Sequence, residues 1–114
     1  MTDREHRRGA VHWIDFSGGR GGEITKIRTA VIVSNDVANR LLNRVQVAPM
    51  TSNVRRIYPS EALIHLGSST SKVMVDQITT AAKERLGRRL GMLTAEDMRL
   101  VEAAIRRQLG LVPI

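Results

Sequence analysis

The chain contains no cysteine, which excludes disulfides, thiolate nucleophiles and cysteine-based metal centres. Aromatic residues are scarce, with one Trp, one Tyr and one Phe among 114 residues, so a platform of rings carrying successive stacked bases is not the expected mode of contact with a nucleic acid. No apolar run approaches the roughly eighteen residues of a membrane span. The first eight residues, Met1 to Arg8, are polar or charged with no apolar, signal-like stretch behind them, and the expected location is the cytoplasm. Imidazoles are limited to His6, His12 and His65, whose spacing fits no metal motif, so no metal or other cofactor is expected.

Acidic residues are also in the minority. Eleven Asp plus Glu stand against 18 Lys plus Arg, giving a net charge of +7, and 15 of the 18 basic residues are Arg. Such a field favours polyanions, and the planar guanidinium fork suits phosphate. RNA or DNA is a better first expectation than an acidic membrane, because no basic amphipathic stretch of membrane length is present. The plainer reading is that these charges only solubilise the surface. The length fits one domain over residues 1–114, with residues 1–7 expected to be flexible.

Periodicity makes the chain strand-rich at first and helical at the end. A short strand is predicted around Val11 to Phe16, followed by a Gly-rich loop. Thr29 to Ser34 is β-branched and apolar, as a central strand buried on both faces would be. Arg44 to Met50 alternates, with Pro49 expected to close it. Glu61 to Leu66 and Lys72 to Ile78 complete five strands around a Gly67-to-Ser71 turn. Asn35-Asp36 can cap one helical turn running through Leu41-Leu42. Thr94 and Asp97 open the clearest element, a helix with Met98, Val101, Ile105 and Leu109 on one face and Gly110 past its end. The sum is a mainly β chain: a small, strongly bent antiparallel sheet or barrel covered by a C-terminal amphipathic helix.

Chemistry-bearing groups gather at predicted strand ends. Gly21 to Arg28 supplies an acid, Glu23, and two cations, Lys26 and Arg28; Thr51-Ser52-Asn53 supplies hydroxyls and an amide. Together they form a workable set for a phosphodiester. Each has a duller competitor: Arg28 as a solvated strand-end charge, Glu23 as a soluble loop residue, Thr51-Ser52-Asn53 as a turn whose side chains satisfy the backbone. Arg55-Arg56 and Arg88-Arg89 are candidate phosphate contacts or merely solvated pairs. Asp76-Gln77 on an apolar strand is either an RNA contact or a structural polar pair. Trp13 is expected in the core, and His12 and His65 are expected along strands with no catalytic duty.

The order of these pieces resembles the MazF toxins of toxin–antitoxin systems. The likeness rests on Arg8-Gly9, Asp15, the Gly-rich loop, Glu23, Arg28, the run Ala30 to Asp36, Ala48-Pro49-Met50-Thr51-Ser52-Asn53, Tyr58-Pro59, Val75-Asp76-Gln77-Ile78 and the segment Arg85 to Gly91. It covers nearly the whole chain. The resemblance implies an SH3-like barrel, usually a homodimer, that cleaves single-stranded RNA at chosen sequences without a metal and is inhibited by an acidic, MazE-like antitoxin. It places the catalytic pair on Arg28 and Thr51, the loop acid on Glu23, and a polar pair near the RNA groove on Asp76 and Gln77.

In that chemistry the 2′-hydroxyl of RNA attacks its own neighbouring phosphate, so the nucleophile arrives tethered and much of the entropic barrier is removed by the substrate. Arg28 would brace the phosphoryl oxygens with two parallel hydrogen bonds, Thr51 would position, and Glu23, once desolvated, would serve as base. A second class of reading is a CcdB-like toxin that poisons a protein such as DNA gyrase without cutting RNA, which would have no need of Arg28 and Thr51. A third is a basic nucleic-acid-binding barrel without activity. The chain departs from the family pattern at Thr29, where most relatives carry proline; the change frees φ and adds a backbone donor.

Overall fold

The computed structural model describes residues 5–17 and 26–113. Of the segment expected to be flexible, residues 1–4 lie outside that set. From Glu5 onward the chain is placed against the sheet, with the His6 ring stacked on His12 at a centroid distance of 5.5 Å.

Seven strands form one curled antiparallel sheet: β1 (Ala10–Asp15), β2 (Ile27–Ile32), β3 (Arg44–Thr51), β4 (Glu61–Leu66), β5 (Ser69–Met74), β6 (Thr79–Ala82) and β7 (Leu86–Met92). Helix α1 (Asp36–Leu41) joins β2 to β3, and α2 (Ala95–Gln108) ends the fold. The strand order is β4-β5-β3-β2-β1-β7, with β6 also on β3. β3 is the hinge of this arrangement. One edge pairs with β2, while the other pairs with β6 over Arg44 to Val47 and with β5 at Met50 and Thr51. Register shifts around His12, where β1 meets β7, add further bend.

Two expectations about the sheet are corrected. Among the described residues there are seven strands, not five, because β6 and β7 follow the strand that was expected to be last. That strand stops at Met74; Val75–Gln77 is a 3-10 turn whose start is tied by the Val75 N–H to the Ser60 carbonyl at 3.0 Å. The turn carries the chain from the β5 end of β3 to the β6 end. The hairpin between β4 and β5 is also tighter than expected. Leu66 pairs with Ser69, leaving only Gly67-Ser68 as the loop, and Gly67 at φ +61° adopts the left-handed conformation such loops require.

Pro49 does not close β3, which runs on to Thr51. The Val33 N–H donates to the Gln46 carbonyl at 2.9 Å, so even-numbered residues of β3 turn their backbone groups toward β2 and odd-numbered ones toward the opposite edge. Pro49 therefore directs its missing N–H at the stretch between the Val47↔Thr79 and Met50↔Val73 pairs, where β5 has ended and β6 has not begun.

Both faces of β1, β2 and β3 are covered, as the apolar run Thr29 to Ser34 required of β2. Val11, Val31, Ala48, Met50, Ile64 and Val73 pack with Met98, Val101 and Ala104 of α2. On the other face Ala10, Ile14, Ala30, Ile32, Val45, Val47 and Ala81 make a second cluster. Trp13 is not core: it stays 42% exposed, its own backbone crossing close to Gly87 of β7. His12 is in β1 and His65 in β4, as expected.

The caps read from sequence hold. Asn35 accepts from the Ala38 N–H at 2.9 Å, Thr94 accepts from the Asp97 N–H at 3.1 Å, and Gly110 past α2 has φ +72°. The Asp97 carboxylate turns away from its own cap and accepts the His65 N–H of β4 at 2.8 Å. With Arg8 paired to Glu102 at 2.8 Å and the Arg107 Nε donating to the Pro59 carbonyl at 2.9 Å, α2 is fastened at its start, middle and end.

The segment between β3 and β4 is held by a buried ion pair. Lys72 Nζ lies 2.9 Å from Glu61 Oε1 and donates to the Arg56 carbonyl at 2.8 Å, while the same Glu61 oxygen accepts the Tyr58 N–H at 2.9 Å. Removing one member strands a buried charge, so Lys72→Met is expected to lower unfolding free energy by about 3–5 kcal/mol, and Lys72→Met/Glu61→Leu by clearly less. Urea denaturation of the two variants checks the order.

Asp36 provides a pH test. The Arg8 N–H at 2.7 Å is the main influence holding its carboxyl below the ordinary carboxylate range, helped by the Asn39 amide and opposed by burial. Because the folded group titrates lower than the unfolded one, its contribution is whole above the ordinary carboxylate pKa and is lost as pH falls through the folded value. Between pH 5 and pH 3 the parent should lose more stability than Asp36→Asn. Equal losses would exclude the contribution.

Candidate active site

The β2–β3 ladder pairs Ile32 with Val47, Val31 with Ala48 and Ala30 with Pro49. Both strands continue, and side chains two residues apart share a face. Carried two residues further, the same register sets Arg28 across from Thr51. On the other edge of β3 Thr51 pairs directly with Lys72, and Lys72 pairs with Leu63. The result is a row across four strands on one sheet face: Arg28 of β2, Thr51 of β3, Lys72 of β5 and Leu63 of β4.

Arg28 is half-buried, and its Nε is buried with no hydrogen-bond partner among the described residues. An unsatisfied buried donor of this kind costs about 1–3 kcal/mol, more when charged. A guanidinium so placed suits an anionic acceptor. Ile14 is its register partner on β1, so one flank of Arg28 is apolar. Thr51 is also half-buried, and its Oγ1 accepts the Asn53 N–H at 3.2 Å. Asn53 Oδ1 in turn accepts the Arg55 N–H at 3.3 Å. The duller reading of Thr51-Ser52-Asn53 as a self-satisfying turn is therefore correct, and it still leaves the Thr51 hydroxyl proton available for donation.

Ser52, Asn53, Arg55 and Arg56 are exposed along the segment after Thr51. Arg56 is engaged by Tyr58, its guanidinium carbon 5.9 Å from the ring centroid. Lys26 is exposed at the mouth of the Gly-rich loop, where its carbonyl accepts the Phe16 N–H at 3.2 Å. Arg85 Nη1 donates to the carbonyls of Asp15 and Ser17 at 3.2 and 3.3 Å on the other stem of that loop. Glu23 lies outside the described residues. Asp76 and Gln77 sit on the 3-10 turn, not on a strand; Asp76 is exposed and Gln77 half-buried. Arg88 and Arg89 are exposed on β7.

Two residues the sequence reading passed over belong to this region. Glu61 and Lys72 were read only as strand starts, yet they are diagonal neighbours across β4 and β5 and lie beside Thr51. The signal was the lone carboxylate of β4 and the lone ammonium of β5. His12 needs no catalytic role: it is fully buried, and its Nδ1–H donates to the Gly87 carbonyl at 3.0 Å.

Among the described residues no helix is long and apolar enough to cross a membrane. Comparison with known proteins agrees with the geometry. The chain is 35% identical to the endoribonuclease MazF9 of Mycobacterium tuberculosis, over 92% of this chain and 97% of that one. It is 34% identical to the endoribonuclease MazF of Staphylococcus saprophyticus, with 92% of each covered. Its fold superposes with a TM-score of 0.79 on an endoribonuclease from a mycobacterial species solved in complex with its cognate antitoxin, at 29% identity, covering 95% of this chain and 98% of that one. The family model for PemK-like, MazF-like toxins of type II toxin–antitoxin systems matches residues 7–109, and the chain belongs to that family.

Proposed function

We propose that this chain is the toxin of a type II toxin–antitoxin system and cleaves single-stranded RNA at chosen sequences without a metal, with Arg28 and Thr51 as its catalytic pair. The observation that carries the reading is the buried Nε of Arg28, without a hydrogen-bond partner among the described residues, on a strand whose register with β3, carried on from Ala30↔Pro49, points it toward Thr51. A phosphoryl oxygen satisfies that donor.

The reaction follows from what each group can do. The ribose 2′-oxygen attacks the adjacent phosphorus as its proton passes to a base; the bond to the 5′-oxygen breaks, and that oxygen takes up a proton. Products are a 2′,3′-cyclic phosphate and a 5′-hydroxyl. Arg28 offers a fork of donors to the phosphoryl oxygens as charge builds on them, and because a guanidinium stays protonated at neutral pH it serves as an acid toward the leaving oxygen rather than as a base. Thr51 donates a hydrogen bond from its hydroxyl to the phosphate and fixes its position. Glu23 is the proposed base, on the grounds of its place in the loop that leads to Arg28. Lys26, Ser52, Asn53, Arg55, Arg56, Asp76 and Gln77 are the proposed RNA contacts, the cations setting phosphate register and the amides and Asp76 reading bases.

The similarity to proteins that are themselves endoribonucleases disfavours the alternative of a protein poison without nuclease activity. An antitoxin enters by the same route, since a similar structure was solved with its cognate antitoxin; that it is acidic is proposed from the +7 charge, which suits an acidic peptide laid over the RNA surface. A homodimer and a cytoplasmic location complete the proposal. In its support, Val37 and Leu41, one turn apart on α1, are 57% and 77% exposed, apolar surface that a second copy would cover.

Purified protein incubated with RNA and a chelator should give fragments with 5′-hydroxyl and cyclic phosphate ends. Arg28→Ala and Thr51→Ala should each slow cleavage by about 100-fold or more while melting like the parent. Arg28→Lys should recover little, because an ammonium cannot supply the fork. Parental rates in either alanine variant would remove that residue from the mechanism.

A further inference from the structure

We propose that the cleft beside Tyr58 is a subsite for one unpaired RNA base, guanine being the base whose edge its side chains complete. The inference rests on the nuclease reading above. The cleft has a volume of about 450 Å³ and lies between the β3–β4 segment, the 3-10 turn and the C-terminal end of α2. That is within the roughly 300–1,000 Å³ of small-molecule pockets. Tyr58, Ser60, Asp76, Arg107 and Gln108 line it.

The mixture of charges narrows the occupant. The Asp76 carboxylate has no hydrogen bond or ion pair among the described residues and opposes a phosphate. A bare cation is opposed by Arg107 and finds no second free carboxylate, since Glu61 is paired with Lys72. A nucleobase has a flat apolar face together with donors and acceptors along its edge. Tyr58, half-exposed, supplies a surface for the face. Guanine alone presents two adjacent donors, N1–H and the exocyclic amine, to a carboxylate such as Asp76. Its O6 and N7 accept from a guanidinium such as Arg107.

The site is held in place rather than merely available. The Tyr58 N–H is fixed on Glu61, the Lys72 ammonium stands 5.6 Å from the Tyr58 ring centroid, and the Arg107 Nε is fixed on the Pro59 carbonyl, leaving its terminal nitrogens for a ligand. Lys72 is also the cross-strand partner of Thr51. The cleft therefore begins one side chain beyond the Arg28–Thr51 row, where a base flanking the cut would fall.

Cleavage of a random-sequence RNA pool, with sequencing of the new ends, tests the assignment in the parent, Tyr58→Leu and Asp76→Asn. Both side chains are exposed, so neither substitution removes core. The parent should select guanine at one fixed position relative to the cut, and both variants should flatten that preference while keeping the others. On the parent's preferred substrate the variants should show about a tenfold higher KM with little change in kcat. Unchanged profiles in both variants overturn the subsite, as does flattening at a position where another base was selected. A parent that cuts no RNA fails the nuclease reading, and this subsite with it.

Discussion

The arrangement depends on β3 being paired along both edges with no slip in register. Because β2 takes one edge and β5 the far end of the other, a residue at the tip of β3 acquires a fixed neighbour on each side. Thr51 is that residue. A one-residue shift against either partner would move Arg28 or Lys72 to the opposite sheet face, and the apolar packing forbids it, since Ala30, Ile32, Val45 and Val47 on one side and Val31, Ala48 and Met50 on the other are all buried. The core thus serves the site by locking register as well as by excluding water.

The charged groups divide into two kinds. Lys72 and Glu61 are buried and paired with each other, an arrangement that contributes little net stability over an apolar pair but fixes the backbone at Arg56 and Tyr58. Arg28 is partly buried and not fully engaged. A surface guanidinium loses little by lacking a partner, whereas a buried one is kept in that condition only by the packing around it, here the sheet and its neighbour Ile14. The first kind builds the rim of the site and the second leaves it ready for an anion.

Much of this was legible in the residues. The caps of both helices and, apart from Leu109, which lies past the helix and is exposed, the apolar face of α2 read directly, since each depends on local chemistry; the alternation read along β3 did not mark a solvent face, because both of its faces are covered. Pro49 was misread because a proline stops a strand only when its missing N–H faces a partner, which depends on where β5 hands over to β6. β7 went unread because Leu86–Met92 holds two glycines and two arginines and has no alternating pattern, and β6 because it is four residues long. Trp13 was placed inside on size alone, although its strand turns it outward. The Glu61–Lys72 pair could not be read at all without the β4–β5 register, which a two-residue hairpin sets. Arg28 and Thr51 were paired as catalytic residues through the family likeness; the β2–β3 register, carried on from Ala30↔Pro49, leads the one toward the other.

The most direct test of the central claim is a double-mutant cycle on cleavage rate, with Arg28→Ala and Thr51→Val made singly and together. If the two side chains grip one phosphate as a unit, the double variant will be no slower than the worse single variant within a few-fold. Losses that multiply in the double variant would mean that the two act apart, and would contradict the account.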